Sequence, residues 1–243
     1  IVVSENAGTA AKDERVWISL DWGRVPAGTA AGAVKIAGGG GEVTVKVSAL
    51  NPTEPTRETL RGFVEGEGVV SIEAEHFTRQ TDAGALRWIR IEDYGRTLSG
   101  MRAEAPPDAP PATPGTDAPC LAYDMYLFDA GAVDVTAILA PTMNFLGERP
   151  LRCAISFDDQ PPQTITLVPA GYQAGNGNRD WEKVVTDNAR TVHSQHTLAK
   201  PGYHTLKFWM VEPGVVLTKL VVDCGGLKPS YLGPPESFRG PAK

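Results

Sequence analysis

No run of about eighteen apolar residues occurs anywhere in the chain, so the sequence holds no membrane-spanning helix. Basic residues are in the minority, 23 Lys and Arg against 29 Asp and Glu, leaving a net charge of -6. Nucleic-acid binding needs clustered Lys and Arg, so a polyanionic partner is excluded, while uncharged, weakly acidic and hydroxyl-rich ligands stay open. Cysteine is scarce. Cys120, Cys153 and Cys224 are odd in number and widely spaced, and Cys153 falls in the apolar register Leu151, Cys153, Ile155, Phe157, the pattern of a buried free thiol. The opening IVVSENAGTA has no basic segment followed by a long apolar one, so no signal-peptide pattern is visible. Helical periodicity is nearly missing as well. Its best case is a short helix with Asp180 as N-cap before Trp181, Val184 and Val185, ending near Asn188.

What is present is alternation. Val16, Ile18 and Leu20 alternate with Trp17, Ser19 and Asp21; Val43, Val45 and Val47 alternate with Thr44, Lys46 and Ser48. Further on, Val133, Val135, Ala137 and Leu139 are interleaved with Asp134 and Thr136, and His204, Leu206, Phe208 and Met210 with Thr205, Lys207 and Trp209. Successive side chains of a strand point to opposite faces, so these segments are half-buried strands. About a dozen such runs, broken by turns drawn from 26 glycines and 20 prolines, predict an all-β protein of the jelly-roll sandwich type. With 42% hydrophobic residues the chain has material for a substantial core.

The polar, turn-rich stretch NPTEPTRETLRGFVEGEG marks a boundary. It predicts a small β subdomain over 1–66, with strands at about 15–21, 31–37 and 42–50, packing on a sandwich over 67–243. Within the sandwich, the proline-rich stretch at about 105–119 is read as an exposed loop, and the tail LKPSYLGPPESFRGPAK as an extended surface strap.

Two features invite a chemical reading. In IEAEHF an extended chain puts Glu73 and Glu75 on one face with Ser71, and Val70, Ile72 and Ala74 on the other. Neighbouring carboxylates repel unless solvated, protonated or bridged by a cation. Calcium suits that spacing, with Asp223 as third ligand; a solvated or arginine-bonded pair is the competing reading. Catalysis finds less support. Asp158 with Asp159 and Glu92 with Asp93 are adjacent pairs in turn-like segments, without the convergence a glycosidase needs. His193 and His196 point to opposite faces of a strand, no cysteine lies near them, and no G-x-S-x-G elbow appears.

IEAEHF and the later PGYHTLKFWMVEPGVVLTKLVVD resemble carbohydrate-binding modules of families 6 and 35, in which an E-x-E strand and a late Asp hold structural calcium. More of the chain resembles the C-terminal region of glycoside hydrolase family 115, the xylan α-1,2-glucuronidases. The matching blocks are, in order, WISLDWGRVPAGTAAGAVKIAG, GFVEGEGVVSIEAEHFTR, YGRTLSGM, ISFDDQPPQ, PGYHTLKFWMVEPGVVL and GGLKPSYLGPPES. The resemblance implies a non-catalytic accessory module, since that family's catalytic residues lie in an upstream β/α barrel and this chain shows no βαβ alternation. It further implies attachment to that barrel, a contribution to homodimer contacts, plant polysaccharide such as glucuronoxylan as ligand, and an extracellular or periplasmic setting.

A sugar platform needs exposed aromatic rings beside hydrogen-bonding groups. Two segments offer them. Trp88, Tyr94 and Arg96 lie on one strand and its loop, with Arg96 suited to a uronate carboxylate. Tyr172, Asn176, Asn178 and Trp181 flank the second loop, AGNGNRDW. Loops at one end of a sandwich cluster, so the two are expected to share a cleft; burial of the tryptophan, or contact of YGR with the barrel, is the competing reading. Three functions remain in contention: a polysaccharide-binding module, a structural or dimerising module, and an autonomous esterase or glycosidase.

Overall fold

In a computed structural model, residues 1–10, 14–106 and 108–241 are described, and the chain divides into two compact units, Ile1–Leu60 and Arg61–Lys243. In the first unit β1 (Val2–Val3) pairs with β2 (Ile18–Ser19), and β3 (Gly28–Gly38) with β4 (Gly41–Asn51). The long hairpin closes through Gly39 and Gly40, both at positive φ (57° and 82°), as a two-residue turn demands when its twist must match the strands. The strand expected at 15–21 contracts to Ile18–Ser19. Trp22 lies beneath the Arg57 guanidinium, 3.9 Å from ring centroid to carbon.

The second unit contains β5 (Gly62–Val64), β6 (Val69–Glu73), β7 (Arg79–Thr81), β8 (Arg87–Ile91), β9 (Gly100–Glu104) and β10 (Cys120–Leu127). It continues with β11 (Gly131–Leu139), β12 (Leu151–Phe157), β13 (Gln163–Val168), α1 (Arg179–Asp187), β14 (Arg190–Leu198), β15 (Gly202–Met210), β16 (Val216–Asp223) and β17 (Arg239–Gly240). A seven-stranded sheet runs β13-β12-β15-β10-β5-β17, with β7 also on β10. A six-stranded sheet runs β14-β11-β16-β9-β8, with β6 also on β16. The fold is a jelly-roll β-sandwich.

The expected boundary at 66/67 shifts to 60/61 for a local reason. Gly62, at φ 69°, lets β5 run parallel to β10, where a Cβ would collide with the Asp124 carbonyl oxygen. Turn-rich composition hid this three-residue strand. Inside the sandwich the alternation holds. Leu121, Tyr123, Met125 and Leu127 of β10, and Leu206, Phe208 and Met210 of β15, meet Val133, Val135, Ala137 and Leu139 of β11 in one buried cluster. Cys153 sits in that cluster as a free thiol, and burial pushes its pKa far up, leaving it inert.

The turn after β15, in WMVEPG, is anchored by a buried charge. The Glu212 carboxylate has no solvent exposure and accepts from the Arg152 backbone N–H (2.8 Å) and Nε (3.1 Å), tying the start of β12 to this turn. Burying a carboxylate without its counter-ion is costly, so Arg152→Ala is expected to lower unfolding free energy by about 3–5 kcal/mol. Adding Glu212→Gln, which removes the stranded charge, should restore part of the loss; chemical denaturation of the three proteins measures both effects.

Candidate functional site

The motif IEAEHF does not stay extended. β6 ends at Glu73, and Ala74–His76 forms one turn of 3-10 helix, which carries Glu75 off the strand. Both carboxylates are then consumed by the protein itself. Glu73 meets the Lys219 ammonium at 2.8 Å and accepts from Thr97 Oγ1 at 2.7 Å. Glu75 pairs with Arg90 Nε at 2.8 Å and accepts from the Ser99 backbone N–H at 2.9 Å. Asp223 lies at the other end of the β6–β16 ladder, opposite Val69, while Lys219 lies opposite Glu73. It accepts from the Gly225 and Leu227 N–H groups and so shapes the turn into the tail.

The calcium trio Glu73, Glu75 and Asp223 is therefore corrected. The three do not converge, and among the described residues no three His, Cys, Asp or Glu side chains are grouped to hold a metal. The positive charge at Glu73 comes from a buried lysine, so the residues present do not fit a divalent ion there.

These contacts join three of the sequence blocks. Thr97 and Ser99 anchor the loop YGRTLSGM to the two glutamates. The tail segment YLGPPES is fastened to the same place. The Pro234 carbonyl accepts from Ser71 Oγ (2.9 Å) and Lys219 Nζ (3.1 Å), and Ser71 N–H donates to Ser237 Oγ (3.0 Å). Glu236 accepts from the Glu73 N–H (3.0 Å) and faces His76 Nδ1 (2.8 Å). The surface strap expected from the tail composition is real, and its attachment is specific.

Loop and strap meet above the outer face of the six-stranded sheet. There the Arg96 guanidinium lies 4.4 Å from the ring centroid of Tyr231, itself 68% exposed. Beneath them a cavity of about 430 Å³ is lined by Thr136, Ile138, Thr191 and Val221 as well as Arg96 and Tyr231. It shares Thr136 and Leu227 with a second, more open one of about 670 Å³ that adds Asp134, His193, Gln195 and Asp223. Together they form a trough whose floor is the outward register of β11, β14 and β16. The pairs Thr136–His193, Asp134–Gln195 and Asp134–Asp223 stand side by side across those strands. Hydroxyls, amides and mixed charges over an apolar patch suit a hydroxyl-rich ligand.

Of the expected sugar contacts, Arg96 reaches this trough and Tyr94 is exposed beside it in sequence. Trp88 does not. It is buried at 3% exposure, 5.7 Å from Phe208, because on the edge strand β8 its ring turns into the core between the sheets while its neighbours Arg87 and Ile89 face the other way. The second loop is occupied with its own architecture. Asn178, not Asp180, is the N-cap of α1, its side chain accepting from the Asp180 and Trp181 N–H groups while its amide donates to the Gln173 carbonyl. Asp180 is drawn instead to Arg190 (2.7 Å) and accepts from the Tyr172 hydroxyl (2.7 Å). Arg190 and Tyr172 thereby hold the Asp180 carboxyl below its usual range. Asn176 is exposed and Trp181 half-buried, and neither they nor Tyr172 line the trough. The two loops do not share that cleft.

Tyr231, Thr136, Thr191 and His193 escaped the sequence reading. The signal for the last three was available, since they are the polar half of the alternation; Tyr231 becomes legible only once the strap is seen to fold back. The adjacent acidic pairs lie in turns, with Asp158 engaged by His204 and the Thr205 N–H. His196 is buried beside Ser194, its pKa pushed down by burial, on the face opposite exposed His193.

The architecture is a two-sheet, jelly-roll β-sandwich. The sequence profile of the glycosyl hydrolase family 115 C-terminal domain matches residues 62–236, and the chain belongs to that family. Among solved structures, the family GH115 4-O-methyl-alpha-glucuronidase BtGH115A, with specificity for decorated arabinogalactans, is 19% identical with a TM-score of 0.43. That match covers 60% of this chain and only 17% of the enzyme's length. A family 35 carbohydrate binding module from Clostridium thermocellum is 16% identical with a TM-score of 0.41, over 63% of this chain and 97% of its own. A CBM6 module of Cellvibrio mixtus lichenase 5A, in complex with cellotriose, is 14% identical with a TM-score of 0.37, over 63% and 95%. No curated protein matches the chain in sequence.

Two outcomes follow from the clasp. Lys219→Ala strands the Glu73 carboxylate and should cost about 3–5 kcal/mol by chemical denaturation, whereas a chelator is expected to leave the melting temperature of the unaltered chain unchanged, because an ammonium already neutralises Glu73. The second concerns acid. Burial alone would raise the Glu75 pKa, but the Ser99 hydrogen bonds and the Arg90 and His76 charges outweigh it and hold it low. A folded value below the unfolded one, which is about 4.3, stabilises the fold at neutral pH and is lost as pH falls through the folded value. Arg90→Ala should therefore shift acid unfolding to higher pH, read by melting curves between neutral and acidic buffers.

Proposed function

We propose that the chain is a non-catalytic accessory module of a xylan-debranching glycosidase, which contacts glucuronoxylan-type plant polysaccharide through the trough. The observation that carries this reading is the Arg96–Tyr231 pair at the mouth of an open, hydroxyl-lined surface. A pyranose ring presents an apolar C–H face, which a tyrosine ring accepts, while Thr136, Thr191, His193 and Gln195 offer partners for its hydroxyls. A guanidinium lying over an aromatic ring still has its N–H edge available, so Arg96 can bond a uronate substituent. Mixed local charge makes this recognition by contact rather than by bulk attraction, as a net charge of -6 requires for an acidic ligand.

Family membership supports the remainder: an upstream catalytic barrel as covalent partner, and an extracellular or periplasmic setting where plant polysaccharide is met. No helix among the described residues is long and apolar enough to cross a membrane.

Affinity electrophoresis and calorimetry of the chain against glucuronoxylan, arabinoxylan, arabinogalactan and cellulose test the proposal. Retention by glucuronoxylan is expected, weakened at least about tenfold, or 1.4 kcal/mol, by Tyr231→Ala or Arg96→Ala, with no sugar released by the chain alone. Trp88→Ala should instead unfold it. Equal retention of the two trough variants would remove the trough from the account. Loss of all polysaccharide binding alongside self-association would favour a docking or dimerising role.

A further inference from the structure

We propose that Glu65 and Asp129 hold one proton between them, and that this shared proton is an acid-favoured latch between two turns, the one joining β5 to β6 and the one joining β10 to β11. Glu65 directly follows β5, and its N–H donates to the Tyr126 carbonyl (3.0 Å), which sets its side chain against the turn that ends β10. There its Oε2 accepts from the Phe128 N–H (2.7 Å) and the Asp129 N–H (3.1 Å). The residue is 5% exposed. Both bonds end on one oxygen, which leaves Oε1 to carry a proton. Three glutamates are buried among the described residues, Glu65, Glu73 and Glu212. Glu73 meets Lys219 and Glu212 meets Arg152, whereas the side chain beside Glu65 is a second carboxylate, that of exposed Asp129. A carboxylate taken out of water with a like charge beside it is relieved most simply by protonation.

Burial first, and then the Asp129 side chain, push the Glu65 carboxyl above its usual range, outweighing the two N–H groups that pull it down. The other groups at this end are mostly acidic. Cys224, just past β16, has its thiol pushed up to about 12, by burial and then by Glu65, Asp129 and Asp223. Glu67, in the same turn as Glu65, faces the Lys228 ammonium at 3.3 Å in a solvent-exposed pair. With the proton present, Glu65 and Asp129 form a hydrogen bond between carboxyl and carboxylate; without it they are two like charges at the join of two turns. The turn after β5 also receives the Cys224 N–H on its Gly68 carbonyl (2.8 Å), so the point where the tail leaves β16 is fastened to the same latch. A folded value above the unfolded one, which is about 4.3, gives stability that is fully present below the unfolded value and is lost as pH rises through the folded one. The latch goes beyond the trough reading and does not depend on it.

Melting curves of the full chain, of Glu65→Gln and of Asp129→Asn, taken from acidic to weakly alkaline buffer, test this. A glutamine keeps an oxygen for the Phe128 and Asp129 N–H groups and offers its own N–H to the Asp129 carboxylate, so it imitates the protonated acid at every pH. Glu65→Gln is therefore expected to melt with the unaltered chain in acid and about 2–4 °C above it at neutral pH. Should that variant fail to fold, Asp129→Asn, at an exposed position, is expected to flatten the fall of the melting temperature with rising pH, because it removes the like charge. Amide exchange at Phe128 and Asp129, compared between the unaltered chain and the folded variant at each pH, should diverge over the same range. A folded Glu65→Gln whose melting curve runs parallel to that of the unaltered chain would overturn the proposal, as would Asp129→Asn with the full fall retained. Separation of the melting curves with equal exchange at those two amides would place the proton elsewhere and overturn it too.

Discussion

A lysine ammonium buried between a carboxylate and a carbonyl holds the functional side of this module in shape. Lys219 points out of the central strand β16, where a charge would ordinarily meet water, yet it is 3% exposed. The tail covers it, and Glu73 and the Pro234 carbonyl receive it. Removing an ion from water is expensive, and the cost is offset only when geometry and additional hydrogen bonds are good. Here Thr97, Ser71, Ser237 and Glu236 supply those bonds, so the arrangement specifies one position for the loop and one for the strap.

The proposed trough follows from that attachment. Residues 227–234 wall the trough on one sheet, and past the clasp the same tail reaches the other sheet, where Arg239–Gly240 adds an edge strand to β5. The tail thus contributes Tyr231 to the trough and Arg239 to the edge of the seven-stranded sheet. It also covers a sheet edge that would otherwise present unpaired backbone groups. An internal ammonium supplies from the chain itself the positive charge that the Glu73 carboxylate meets.

The core and the surfaces are held by different physics. The interior of the sandwich is largely non-directional apolar burial, with Tyr123, Phe157, Phe208 and Phe63 fully enclosed and the Tyr123 hydroxyl donating to the Ala74 carbonyl. The sites are made of directional, charge-assisted contacts concentrated in loops and tail, where single substitutions alter geometry without emptying the core.

Alternation along β11, β12 and β15 was enough to determine the layered fold and the inward residues, because a strand's two faces are set by its own pleat. Family resemblance was likewise readable from ordered blocks such as WMVEPG and YLGPPES. Only the tertiary structure decided which partners the charged residues take. Glu73 and Glu75 looked like cation ligands from their spacing, but the one meets a lysine 146 positions later through the ladder of β6 with β16, and the other an arginine on β8. Trp88 looked like a platform because nothing local says which face of β8 is covered. Local sequence sets periodicity and propensity; long-range pairing sets which polar groups are consumed inside the protein and which are left for a ligand.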